Sequence, residues 1–263
     1  MSLLLQDLVD AARETSARQR ELTPEPRLRA EAETRAAESG GVGRFRTALQ
    51  RPGMAVIAEV KGASPLSGIL CQSFDPLELA RAYAESGAAA ISVLTEEKFF
   101  AGALRHLEAV SAAVPLPTLR KDFVVEPYQI YQAATAGASA VLLISDLLAA
   151  SQLRELVEVA HSVGLDALVE LHRPALLEAC VDAGSGLIGV NNRNLDTMDV
   201  ELAHSLRLAI QLPREFVRVS ESGISTVAEV RLLRQAGYDA VLVGTALVRA
   251  EDPGAVLREL VEA

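Results

Sequence analysis

FVRVSESGISTVAEVRLLRQAGYDAVLVGT, running from Phe216 to Thr245, holds in miniature the pattern on which the fold turns. A β-rich run, FVRVSES (Phe216 to Ser222), comes first. TVAEVRLLRQAG then has helical periodicity and stops at Gly237, a residue suited to a helix C-terminus, and a second apolar run, AVLVGT (Ala240 to Thr245), follows at once. Strand, amphipathic helix, glycine, strand is the unit of a parallel sheet. Six more strand candidates precede it: MAVIAEV (Met54 to Val60), AAISVLT (Ala89 to Thr95), PTLRKDF (Pro117 to Phe123), AVLLIS (Ala140 to Ser145), DALVEL (Asp166 to Leu171) and LIGVNN (Leu187 to Asn192), making eight. DPLELARAYAES opens with Asp75 and Pro76 in helix-start positions, and SGA, AGAS, DAGS and AGYD each close a helix just before the next strand. The unit recurs as a structural repeat without a sequence repeat. Eight such units close into a (β/α)8 barrel more readily than they form the alternative, a doubly wound open sheet. Residues 1–45 lie outside the repeat and read as one or two helices rich in Ala, Glu and Arg, expected to cap one barrel end rather than to form a separate docking arm. The expected fold class is α/β, a single (β/α)8 (TIM) barrel domain over residues 1–263 with an N-terminal helical extension.

Composition narrows the function. A chain of 263 residues, half of them apolar and 23% charged, has enough material for one sizeable core. Its formal net charge of -10 repels nucleic acid and anionic membrane surfaces at long range, so neither is an expected partner, whereas a small anionic substrate can still bind where local groups outweigh the global field. Cys71 and Cys180 have neither the number nor the spacing of a disulfide framework or a zinc site, which points to a reducing cytoplasm. The opening MSLLLQDLVDAARETSARQR mixes charges into its first turns and carries no leader signal, and no apolar run reaches the roughly 20 residues a membrane span needs. Basic residues are almost all Arg, with lysine only at Lys61, Lys98 and Lys121. Lysine can be tuned to exchange a proton where arginine cannot, so the few lysines are candidates for proton transfer, chance being the alternative.

In a (β/α)8 barrel, residues at the C-terminal ends of the strands carry the chemistry. Glu59 and Lys61 end the first strand, and their i, i+2 spacing aims both at one face. Lys121 ends the third, Glu170 the fifth, Asn191 and Arg193 the sixth, Glu221 and Ser222 the seventh. A lone strand-end carboxylate is commonly a salt-bridge partner, but two lysines, three glutamates and an arginine converging on one barrel end are hard to explain structurally. Gly223 and Gly244 fall in the loops after strands seven and eight, where barrels frequently bind phosphate, although strand termination alone also explains them. His106, His161, His172 and His204 show no metal-ligand spacing and are assigned no role. Ser145 and Asp146 end strand four with polar residues where apolar ones are more usual, and the sequence offers no account of them.

These blocks resemble the indole-3-glycerol phosphate synthase family over Met54 to Val248. VIAEVKGASPLSG is similar to its strand-one signature, and SVLTEEKFFAG, PTLRKDFVVEPYQIYQA, ALVELH, LIGVNNRNL, VSESGI and VLVGTALV follow in order at matching separations. The resemblance implies a carboxy-lyase of tryptophan biosynthesis acting on a phosphosugar, 1-(o-carboxyphenylamino)-1-deoxyribulose 5-phosphate, with no metal or organic cofactor, as a cytoplasmic monomer. By position it makes Lys121 the general acid at the carbonyl oxygen and Glu170 its partner, and a desolvated lysine among other cations is expected to have its pKa lowered toward the working pH. Lys61 then binds the substrate carboxylate and acts as acid in dehydration, with Glu59 as the opposing base. Phe123 and Leu195 line the aromatic pocket, Asn191 and Arg193 orient polar groups, Glu221 holds the lysines, and Ser64, Ser222, Gly223, Gly244 and Thr245 contact carboxylate and phosphate. Gly62 and Leu66 depart from the family, which places a cation and a hydroxyl there, and weaker loop closure is the expected result. A related phosphosugar enzyme and a non-catalytic paralogue are the rival readings, the second opposed by the retained lysines and glutamates.

Overall fold

The strand β1 (Ala55–Val60) is buried at every residue, as expected of a parallel strand covered on both faces. In the computed structural model, which describes residues 3–39, 41–64, 68–71 and 74–263, it pairs on one side with β2 (Ala90–Leu94) and on the other with the last barrel strand, β8 (Ala240–Val243). Between these run β3 (Thr118–Lys121), β4 (Ala140–Ile144), β5 (Asp166–Leu171), β6 (Leu187–Asn191) and β7 (Val217–Glu221), all parallel, and the eight close into a barrel. Ala55 lies opposite Ala240 and Ile57 opposite Ala90, so the register wraps without a free edge.

Period-two alternation divides the apolar residues into two cores. Val56, Ala58 and Val60 face the helices, whereas Ala55 and Ile57 join Leu119, Leu142, Leu168, Leu187, Val219 and Leu242 inside the barrel. Continuing the inner series toward the carboxyl ends gives Glu59, Lys121, Glu170, Asn191 and Glu221, the sequence-predicted polar layer. Each strand is followed by a helix, and the local signals are the expected ones. Asp75 accepts the Leu77 and Glu78 N–H groups at the start of α4 (Pro76–Glu85), and Thr226 forms a reciprocal capping box with Glu229 at the start of α10 (Val227–Ala236).

The N-terminal segment touches both ends of the barrel. In α1 (Leu3–Leu22), Leu5 and Leu8 are buried against the carboxyl-end cavity, while Arg18 and Arg20 reach Glu97 at 2.9 Å and Glu126 at 3.0 Å. The next helix, α2 (Glu25–Ser39), packs on α6 (Pro127–Thr135). At the amino end the short α3 (Arg44–Leu49) inserts Phe45 and Leu49 into the interior core, and Asp166 accepts the Phe45 and Arg46 N–H groups at 2.9 and 3.0 Å. Removing the Phe45 ring would cost about 3–5 kcal/mol of stability. Sequence reading missed a small hairpin, Ala63–Ser64 with Gly68–Ile69, and drew seven of the eight strands one to three residues long, with β5 matching at both ends; after β7, Ser222 already takes a left-handed φ.

Candidate active site

The inner polar layer floors a cavity of about 480 Å³ at the carboxyl end of the barrel. Of the fourteen sequence-predicted site residues, thirteen line it: Glu59, Lys61, Lys121, Phe123, Glu170, Asn191, Arg193, Leu195, Glu221, Ser222, Gly223, Gly244 and Thr245. The Ser64 side chain, and all of Leu66, lie outside the described residues.

Two lysine–glutamate groupings share the floor. Lys61 Nζ sits 2.5 Å from Glu59 Oε1, a pair joined along one strand face as the i, i+2 spacing requires. Lys121 Nζ lies 3.1 Å from Glu170 Oε2 and 3.6 Å from Glu221 Oε2. Burial alone pulls the Lys121 ammonium down, but Glu170, Glu221 and Glu59 together outweigh it and hold its pKa above the ordinary lysine range. This corrects the expectation of a lowered lysine pKa: the neighbours of Lys121 are carboxyl groups led by the ionised Glu170, not cations, and it rests fully charged.

Its two carboxylates differ. Burial pushes Glu170 up, yet the cations Lys121 and His172 prevail and keep it well below the usual carboxylate range. Burial and then the charge of Glu170 push Glu221 well up. Neither Glu221 oxygen receives a hydrogen bond, a deficit relieved when Glu221 keeps a proton and donates it to Glu170. Gly189 makes room for this arrangement, since a Cβ there would stand 2.2 Å from Glu221 Oε1. Gly244 does the same for the other pair, because a Cβ would meet Glu59 Oε1 at 2.3 Å and Lys61 Nζ at 2.8 Å. A side chain at Gly244 therefore disturbs the Glu59–Lys61 pair as well as any anion.

Loops complete the walls. After β7, Ser222 adopts a left-handed φ of 68°, uncommon for a residue with a side chain, and Gly223 follows it with a φ of 74°. Asn191 accepts the Arg193 N–H at 2.9 Å, and the Arg193 guanidinium, pulled down in pKa by burial, donates to the Met198 carbonyl at 3.0 Å. Several lining residues escaped sequence reading. Phe100 approaches Phe123 with ring centroids 6.2 Å apart, and its loop is shaped by Glu96, whose carboxylate accepts the N–H groups of Lys98, Phe99 and Phe100. Leu5 and Leu8 belong to a helix remote in sequence, and Arg249 lies beyond the last matched motif at the Thr245 end of the cavity. Lys98 is exposed, its ammonium 5.5 Å from the Phe99 ring centroid and outside the cavity lining. Gly62, read as a missing cation, is buried where a Cβ would press on the Phe74 ring at 2.9 Å, so backbone packing explains the glycine.

The His172 ring, to which the sequence gives no role, lies behind Glu170, with Nε2 3.1 Å from Glu170 Oε1 and Nδ1 3.2 Å from Asp146 Oδ2. Arg173 in turn pairs with Asp146. Both Cys71 and Cys180 are free thiols.

A closed (β/α)8 barrel with buried lysines and carboxylates converging at the carboxyl ends of its strands defines an acid–base enzyme of the barrel class. Residues 5–260 match the sequence profile described as indole-3-glycerol phosphate synthase. The chain belongs to that family, the carboxy-lyases of this name in tryptophan biosynthesis. An indole-3-glycerol phosphate synthase of Carboxydothermus hydrogenoformans is 51% identical over 206 residues, covering 78% of each chain. Others from Roseiflexus sp. and Polaromonas sp. are 45% and 43% identical, each covering 99% of this chain and 98% of the relative. Among solved structures, 3-hexulose-6-phosphate synthase superposes with a TM-score of 0.65 at 20% identity, covering 80% of this chain and 99% of that one, a likeness of fold. No helix among the described residues is long and apolar enough to cross a membrane.

Proposed function

We propose that the chain converts 1-(o-carboxyphenylamino)-1-deoxyribulose 5-phosphate to indole-3-glycerol phosphate through side-chain acid–base chemistry, without a metal or organic cofactor. The observation that carries this reading is the pairing of two lysines with separate glutamates on one cavity floor. Lys121, already an ammonium, donates a proton to the substrate carbonyl oxygen as the aromatic carbon bearing the carboxylate forms the new carbon–carbon bond. Glu170 fixes that ammonium. The carboxylate leaves as carbon dioxide, and its bonding electrons restore the aromatic ring. Lys61 then protonates the departing hydroxyl while Glu59 takes a proton from the adjacent carbon, completing the indole. With an ionised substrate carboxylate, two protons are given and one is taken, so each turnover draws one proton from solvent.

Phe100, Phe123, Leu195, Leu5 and Leu8 supply an apolar wall for the carboxyphenyl ring. Asn191 and Arg193 orient its polar groups, and Glu221 holds the lysines. Ser64 joins the carboxylate contacts of the strand-one loop. Phosphate is assigned to Ser222, Gly223, Gly244 and Thr245, with Arg249 as an added cation at that end. The chain acts as one barrel domain with α1 as part of its cap. A cytoplasmic location is supported by its two free thiols, and the chain is proposed to act as a monomer.

The test is to incubate purified protein with the carboxyphenylamino sugar phosphate and follow indole fluorescence. Folded protein that forms no indole product would overturn the reading. Arg249→Ala should raise KM about fivefold with kcat unchanged, the effect of one exposed charge-assisted phosphate contact. An unchanged KM would remove Arg249 from the phosphate site.

A further inference from the structure

We propose that His172, held by Asp146, is a positioning residue that fixes Glu170 as the ionised member of the Glu170–Glu221 pair and so keeps Lys121 aligned. The inference rests on the lyase reading above and concerns a residue to which the sequence motifs give no part.

The His172 ring is buried between two carboxylates, Nδ1 toward Asp146 at 3.2 Å and Nε2 toward Glu170 at 3.1 Å, the second contact within ion-pair range but off the hydrogen-bond line. A neutral imidazole carries one N–H, so one of these carboxylates would face a lone pair; the imidazolium turns an N–H and positive charge toward both. Burial lowers the His172 pKa, but Glu170 and Asp146 outweigh it and raise it to about 9. Asp146 is itself anchored by the exposed Arg173. Glu170 therefore has a cation at each oxygen, His172 at Oε1 and Lys121 at Oε2, whereas Glu221 has only Lys121 at 3.6 Å. That asymmetry decides which carboxyl keeps the proton. It also gives Asp146 a purpose at a strand end where the sequence had none to offer. The other ionisable group facing the ring's own segment is His204 of α9 (Ala203–Leu208), which approaches the His172 backbone, and burial keeps its pKa low.

Without the His172 cation, Glu170 and Glu221 compete more evenly for one proton. Glu170 then protonates at higher pH and releases Lys121. The test compares wild type, His172→Gln and Asp146→Asn in kcat and KM across pH, with thermal unfolding as a check on folding and an NMR titration of the His172 ring in the substrate-free protein. His172→Gln should lose about tenfold in kcat near neutrality with KM within about twofold, and the acid limb of kcat should move up by about one pH unit. Asp146→Asn should change both in the same direction by less, and should lower the ring's titration midpoint from its wild-type value of about 9. A folded His172→Gln protein with wild-type kcat and an unmoved acid limb overturns the proposal. So does a wild-type ring midpoint near 6.5, the ordinary histidine value. Should His172→Gln fail to fold, Asp146→Asn and the ring titration decide. Should wild type form no indole product, the lyase reading fails, and the substrate-free titration still tells whether His172 is the cation described.

Discussion

Arg120 and Lys121 are consecutive residues of β3, both basic and both paired with acids, yet they face opposite sides of the barrel wall and live in opposite conditions. Arg120 points out among the helices. Its guanidinium donates to Asp122 at 2.9 Å, to the Gln129 carbonyl at 2.6 Å, to Gln132 at 3.2 Å and to Thr95 at 3.1 Å. Asp122 is closed off in the same way, accepting also from Thr95 and from the Phe123 N–H. Lys121 points in, between carboxylates one of which lacks any donor. The difference separates structural charge from chemical charge. A buried ion whose hydrogen bonds are all made is locked in place, while a cluster left partly unsatisfied retains affinity for a substrate or a proton. Residue type follows suit, since the planar fork that does not deprotonate sits outside and the tunable ammonium sits inside.

Exchanging these roles is the most direct attack on the comparison. Lys121→Arg keeps the charge but is a very poor acid, and kcat should fall about 1,000-fold with the fold intact. Near-wild-type turnover, measured where ring closure limits the rate, would remove Lys121 as the acid. Arg120→Lys should do the reverse. The shorter point charge leaves several of these acceptors without a donor, at a cost of about 3 kcal/mol in stability, while kcat of the folded protein stays within a few-fold. Denaturant unfolding alongside kinetics would show it, and a stable variant with lost turnover would dissolve the distinction.

Glu221→Gln sharpens the contrast further. Because the Glu221 pKa is raised on folding, the native state holds a proton that the unfolded chain releases, so this group's contribution to stability declines as pH rises above 4.5, its ordinary value. Glutamine imitates the protonated form at every pH. The variant should gain stability relative to wild type with increasing pH, by about 1 kcal/mol at pH 8, and a parallel pair of stability–pH curves would show that Glu221 is ionised in the fold. The smallest effect belongs to Lys98→Arg. Exposed and outside the cavity, it should leave kcat and KM within about twofold of wild type, whereas a large loss would mean that lysine identity matters beyond the barrel floor.

The barrel and its floor were legible because both obey short-range periodicity: alternation along a strand placed Glu59 beside Lys61 and aimed Lys121, Glu170, Asn191 and Glu221 inward. What stayed hidden depends on how distant segments meet. Leu5 and Leu8 show only a helical apolar stripe, Phe100 is one of two adjacent phenylalanines, and His172 gains its meaning from Asp146 on the neighbouring strand end. The sign of the Lys121 shift is hidden in the sequence for the same reason, since counting carboxyl groups around an ammonium needs their positions, not their presence. The tight space around Gly62 and Gly244 was also beyond sequence, where a glycine reads as freedom and not as a neighbour's need for room.

The pairing of β1 with β8 has a bearing on how the protein is made. During synthesis the first strand emerges long before the last, and until Ala240 through Val243 leave the ribosome the Ala55–Ala58 edge has no second partner. Ile57 and Leu119 of the interior core, and Leu5 and Leu8 at the cavity, reach their folded burial only in the closed barrel. The barrel therefore cannot close before its last strand is made, and until then the β1 edge keeps backbone N–H and C=O groups open to pairing.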